Sequence, residues 1–166
     1  MPTSNPLDIL LAHDRWATRQ ILEACTKLTP EQFHQRFEMG PGSLHDTTTH
    51  MIQAMRLWTD ILAGREPRLR LEPTEHRTPA QLMSLHDETT REFAEHVRSQ
   101  PLEGIVLRIR EGKTYTYTRG AVLTHATTHG MHHRAQCLNM LRHLGVKPLP
   151  PSSVVEWTWM GDTAST

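Results

Sequence analysis

The chain has 166 residues, and its 18 Lys and Arg balance 18 Asp and Glu, so the formal net charge at pH 7 is zero. One domain over residues 1–166 suits this length, and the neutral charge argues against a nucleic-acid partner. Two distant cysteines exclude a disulfide framework and a thiolate zinc site. No apolar run reaches the roughly 18 residues of a membrane span, and the first residues do not form a secretory signal, so we expect a cytoplasmic protein with no membrane partner.

Capping signals divide the first hundred residues into three predicted helices. Asn, Ser and Thr are favoured caps, and proline is favoured at the first helical position. Apolar residues recur at helical spacing after each cap. The predicted helices run from Asn5-Pro6 to Thr29-Pro30, from Ser43 to Gly64, and from Thr78-Pro79 to just before Pro101.

The rest of the chain predicts a hairpin, one more long helix and a tail. Residues 105–110 and 115–118 are rich in β-branched and aromatic side chains around a turn, which is typical of a β-hairpin. A fourth long helix runs from about Gly120 to Leu144, and two tryptophans indicate that the tail, 146–166, docks on it and its neighbours. The predicted fold is all-α, a four-helix bundle with a small β-hairpin before the last long helix.

Histidine is concentrated in the last long helix. Four of the 12 histidines lie within positions 125–133, and His125, His129 and His133 recur every four residues along one face. On a helical wheel His133 falls inside the apolar stripe and His129 at its edge, whereas His125 lies further round. Two imidazoles one turn apart can converge on one ion, as they do in HExxH zinc sites.

A third metal ligand has to come from a facing helix. His50 lies beside Met51 and Ala54 on the inward side of the second predicted helix. Three neutral imidazoles leave a divalent ion with one open position, which is typical of catalytic sites. We predict that His50, His129 and His133 bind a divalent metal; the alternative is three structural histidines satisfied by their neighbours in the core.

Several other polar residues have two interpretations. Asp14 lies near the apolar stripe of the first helix, where it either orients a ligand histidine or stabilises an interhelical contact. His125 is a further ligand or orients one, and Asp14 and His125 are the candidates for a catalytic role. Arg134 either binds an anion or is a surface or interface charge. We expect His132 to point outward and His45 to lie closer to solvent than His50. The remaining histidines are expected at surface or boundary positions: His13, His34, His76, His86, His96 and His143.

Three segments resemble, in order, signatures of the DinB/YfiT-like family of metal-binding four-helix bundles. His13-Asp-Arg-Trp-Ala-Thr is similar to the Trp-Ala signature of its first helix. Residues 42–50, followed by Trp58, resemble its second-helix motif, and residues 128–136 resemble its His-x-x-x-His-Arg-x-Gln motif. The resemblance covers about residues 5–145.

The resemblance implies that His50, His129 and His133 hold Zn²⁺ or Ni²⁺ in an intracellular homodimer. Some family members are S-transferases that use low-molecular-weight thiols such as bacillithiol or mycothiol. We therefore expect a divalent-metal-binding protein that is a metal-dependent thiol S-transferase acting on a small molecule. The alternatives are a metal-dependent hydrolase and a non-catalytic, stress-associated metal-binding bundle.

Overall fold

The computed structural model describes residues 3–160, which form four long helices, two short helices and one β-hairpin. This architecture confirms the predicted four-helix bundle with a hairpin before the last long helix. The elements in chain order are α1 (Pro6–Cys25), α2 (Pro30–His34), α3 (Leu44–Leu62), α4 (Pro79–Arg98), β1 (Ile105–Arg110), β2 (Lys113–Thr118), α5 (Arg119–His143) and α6 (Val154–Met160). None of the helices in residues 3–160 is long and apolar enough to cross a membrane.

A short helix that the sequence analysis did not predict follows α1. Thr29 accepts a hydrogen bond from the backbone N–H of Gln32, whose side chain accepts one from the Thr29 N–H. This complete capping box starts α2, with Pro30 at its first position. α2 carries Phe33 into the core.

The core consists of two apolar clusters stacked along the bundle. Side chains such as Ile21, Leu82 and Met140 form one cluster, and Phe93 and Val122 belong to the other. α3 packs against both α4 and α5, and α1 packs against the same two helices. The inward faces of α3 and α5 therefore lie opposite each other in the bundle.

Arg119 joins the start of α5 to the ends of two other helices. Its buried guanidinium donates to the carbonyl oxygens of Leu62, at the end of α3, and of His96, in the last turn of α4. It also lies 3.3 Å from Ser99 Oγ. A cation is favourable beside unpaired carbonyls at helix C-termini, so this contact holds the first turn of α5 against the ends of α3 and α4.

The hairpin lies at the same end of the bundle as Arg119. β1 and β2 are antiparallel, with Val106 opposite Tyr117 and Arg108 opposite Tyr115. Val106 is buried against the bundle, whereas the alternate side chains of β1, such as Ile105, are exposed. One face of the hairpin, which includes Arg108 and Tyr117, is thus directed towards the helices.

The tail returns to the bundle through α6. Trp157 packs with Trp16 and Ala17 of α1, and the ring of His13 donates from Nε2 to the Ser152 carbonyl at 2.9 Å. Residues 161–166 of the predicted tail lie outside the described part of the chain.

Candidate metal centre

Three histidine side chains converge between α3 and α5. Nε2 of His129 lies 3.1 Å from Nε2 of His50 and 3.2 Å from Nε2 of His133. One ring nitrogen from each residue lies within 4.8 Å of the other two. The structure thus brings together the three residues that the helical wheel selected, and one ion can contact all three.

Hydrogen bonds alone do not satisfy this cluster. Nδ1 of His133 lies 2.8 Å from Oε1 of Gln136, an acceptor, so Nδ1 carries the proton and Nε2 carries a lone pair. A neutral imidazole has one N–H. A proton on Nε2 of His129 could therefore be donated to Nε2 of His50 or to Nε2 of His133, but not to both. Tetrahedral coordination with zinc–nitrogen bonds of about 2.0–2.1 Å sets the nitrogens about 3.3–3.4 Å apart. The observed spacing therefore fits a metal site.

Gln136 orients His133 and was missed as a functional residue by the sequence analysis. Its amide nitrogen lies 3.1 Å from Nε2 of His132, so His132 is exposed yet supports the site through Gln136. A Cβ on Gly40, which has φ +51°, would lie 2.2 Å from Oε1 of Gln136. Glycine leaves room there for the amide that fixes the ring orientation of His133. The sequence signal that could have identified this role is the position of Gln136 at the end of the His-x-x-x-His-Arg-x-Gln motif.

The three imidazoles are neutral at physiological pH. Burial, with smaller contributions from His133 and His50, lowers the pKa of His129 to about 4. Burial also lowers the pKa of His50, and the nearby His133 and Arg70 lower it further. Burial lowers the pKa of His133 as well, although its hydrogen bond to Gln136 acts in the opposite direction. Neutral imidazoles are the form that binds a metal, so the site is prepared for one.

Asp14 and Arg134 form a buried ion pair between α1 and α5. Nη1 of Arg134 contacts Oδ1 of Asp14 and lies 3.1 Å from the Thr18 hydroxyl. Of the two interpretations of Asp14, the structure shows the interhelical contact, and Arg134 is buried rather than on the surface. A Cβ on Gly130 would lie 2.6 Å from Oδ1 of Asp14, so glycine admits this carboxylate to the face of α5.

His125 lies outside the cluster of three. Its side chain is exposed, and its ring centroid lies 5.6 Å from that of His129 and 5.0 Å from that of Trp58. His125 thus lies beside Trp58 of α3, one helical turn from the three-histidine cluster.

Three histidines predicted near the surface are buried, and those predictions were wrong. His45 is fully buried, with Nδ1 2.9 Å from Asp46 and Nε2 accepting from the Arg77 N–H at 3.3 Å. His13 is covered by the tail. His86 is enclosed, and within residues 3–160 neither of its ring nitrogens has a hydrogen-bond partner; burial lowers its pKa to about 4. The covering segments are distant in sequence, so helical periodicity did not reveal the burial.

The fold and the site define a helical bundle with a three-histidine cluster between two facing helices. The model of the DinB family matches residues 1–159, so the chain belongs to the DinB family, as the sequence resemblance indicated. The crystal structure of a DinB-like protein (YjoA) from Bacillus subtilis is similar, with a TM-score of 0.64 and 18% identity over 89% of this chain and 96% of that chain. This similarity supports the fold alone. No curated protein matches this chain in sequence.

Replacement of Gly130 by alanine should destabilise the protein. Alanine normally favours a helix interior by about 1 kcal/mol, but here its Cβ would lie 2.6 Å from Oδ1 of Asp14. We expect the free energy of unfolding to fall by about 1–3 kcal/mol in urea denaturation. The control is Gly120→Ala in the same helix, where the nearest contact is 3.4 Å. Equal stability of the two variants would contradict the close approach of Asp14.

Replacement of Gln136 by alanine should weaken metal binding without unfolding the bundle. Loss of the hydrogen bond to Nδ1 of His133 removes the group that orients this ring. Such supporting contacts typically contribute 10- to 100-fold to affinity, and competition with a chelating dye measures the change. Gln35→Ala, at an exposed position, is the matched control. An unchanged affinity in Gln136→Ala would show that His133 is oriented by other contacts.

The pH dependence of metal binding should reflect the lowered pKa values. Three unperturbed histidines would lose about sixfold in affinity between pH 7.5 and 6.5 through proton competition. Because the folded-state pKa values of all three are lowered, to about 4 for His129, we expect little change in that interval. The affinity should fall at lower pH, as these values are approached. Competition titrations check this, and a sixfold loss by pH 6.5 would contradict the burial of the cluster.

Proposed function

We propose that His50, His129 and His133 hold a Zn²⁺ or Ni²⁺ ion and that the protein is a metal-dependent S-transferase joining a low-molecular-weight thiol to a small electrophile. The convergence of three Nε2 atoms on one point is the observation that carries this proposal. Three protein ligands leave an open coordination position, as in catalytic sites. A small-molecule substrate is the proposed partner; the homodimer and the cytoplasmic location stay predictions.

The surroundings of the cluster favour a thiol over a water nucleophile. An HExxH site supplies a glutamate as general base, whereas in residues 3–160 the three imidazoles hydrogen-bond only to each other and to Gln136. The cavity beside His129 is small, about 10 Å³, and is lined by Met51, Met55 and Trp58 together with the carboxylate of Asp14, which Arg134 holds. Because Asp14 is already paired, it is not free to act as the general base that an attacking water needs.

The chemistry requires a thiolate at neutral pH. A divalent ion bound here would supply the positive charge that lowers the pKa of a coordinated thiol. The sulfur forms a bond to the electrophilic carbon, the leaving group departs with its bonding electrons, and the thiol proton passes to solvent. The chain's residues hold the site neutral and oriented, with Gln136 fixing the proton of His133 on Nδ1.

Metal content and thiol turnover, measured in parallel, test this function. Elemental analysis follows reconstitution with Zn²⁺ or Ni²⁺, and conjugation of 2-mercaptoethanol to 1-chloro-2,4-dinitrobenzene measures transfer. We expect about one ion per chain in the wild type, its loss in folded His50→Ala and His129→Ala, and conjugation that disappears with the metal. His143→Ala, exposed on the same helix as His129, is the control and should behave as the wild type.

Two results would contradict the proposal. A wild-type protein that binds no metal after reconstitution would leave the three histidines as structural groups. One ion per chain without metal-dependent conjugation would keep the metal site and reject the transferase activity.

A further inference from the structure

The small cavity beside His129 lies where all four long helices meet. Its walls include Asp14 of α1, Met55 of α3, His86 of α4 and His129 of α5. Its volume is about 10 Å³, which is close to the space that a single water molecule needs. A buried water typically makes about three hydrogen bonds to polar groups that lack other partners. Whether this cavity is a water site therefore depends on the polar atoms that line it.

Three side chains that line this cavity have unpartnered polar atoms. His86 is buried, and neither of its ring nitrogens has a hydrogen-bond partner within residues 3–160. In the same part of the chain, the hydrogen bond of Arg134 to Asp14 ends on Oδ1, and Oδ2 accepts none. The contacts of His129 involve Nε2, so that among the described residues its Nδ1 also has no partner. These atoms come from three different helices and border one cavity.

The three groups match the donors and acceptors of one water molecule. When Nε2 of His129 holds a metal, the ring carries its proton on Nδ1 and is a donor, whereas Oδ2 of Asp14 is an acceptor. Burial lowers the pKa of His86 to about 4, so this ring is neutral and has one donor and one acceptor. The two hydroxyl groups in the cavity wall, those of Thr18 and Thr89, already have partners.

We propose that one water molecule in this cavity accepts a hydrogen bond from Nδ1 of His129, donates one to Oδ2 of Asp14 and bonds to the ring of His86. Asp14 and His86 are then positioning residues that act on a metal ligand through this water. Histidine ligands normally donate their second N–H to a carboxylate, a carbonyl or a water, which fixes the orientation of the ring. The inference rests on the metal site of the proposed function and gives His129 the support that Gln136 gives His133. Asp14 thus combines the interhelical contact, through Oδ1, with the orientation of a ligand, through Oδ2.

Substitution of His86 tests this water site, because replacement of Asp14 would leave Arg134 unpaired in the core. His86→Phe keeps a ring and removes both nitrogens. We expect its zinc affinity, measured by competition with a chelating dye, to fall about tenfold. Magnetic relaxation dispersion of the water oxygen should count one fewer long-lived internal water in this variant. His86→Gln and His86→Asn place a polar atom near the former Nε2 and Nδ1, and at least one of them should restore the affinity.

His96→Phe is the control, since it makes the same change in α4 at a residue outside the cavity wall. It should keep the zinc affinity and the number of internal waters of the wild type. An unchanged affinity or an unchanged number of waters in His86→Phe would overturn the inference and leave the proposed function standing. A loss of affinity that neither polar variant restores would make His86 a packing residue and also overturn it. A wild-type protein that binds no zinc would contradict the proposed function and this inference together.

Discussion

The buried ion pair between Asp14 and Arg134 sets the rotation of α5, on which the candidate site depends. Two charges removed from water are tolerated only when they meet each other, and both of these side chains are almost fully buried. Arg134 therefore has to face α1, with Gly130 one turn earlier leaving room for the carboxylate. At this rotation His129 and His133, the residues next to Gly130 and Arg134, face α3 and meet His50.

This arrangement separates the residues that set the geometry from those of the candidate metal site. Asp14, Arg134 and Gly130 align the helices, while Gln136 fixes which nitrogen of His133 is free. The imidazoles themselves stay neutral because burial disfavours their charged form. Such preorganisation matters for a metal site, since rings that had to reorient or lose a proton on binding would weaken the affinity.

Local sequence signals predicted the long elements and the three converging histidines, but not the contacts between distant segments. Capping at Thr78 and the glycine stop at Gly145 act within a few residues, and the structure has both. The five-residue α2 is too short for apolar periodicity to mark it, although its capping box was visible in the sequence. The Asp14–Arg134 pair joins residues 120 positions apart, so spacing left the role of Asp14 open. The burial of His13, His45 and His86 depends in the same way on elements that pack on them from elsewhere in the chain.

We propose that three imidazoles bind one ion that keeps a position open for a thiol. X-ray absorption spectroscopy of the zinc-loaded protein, before and after addition of 2-mercaptoethanol, tests it most directly. We expect three histidine nitrogens at about 2.0–2.1 Å in both states and one sulfur at about 2.3 Å after the thiol is added. Fewer than three imidazoles, or a coordination sphere that the thiol does not change, would contradict it.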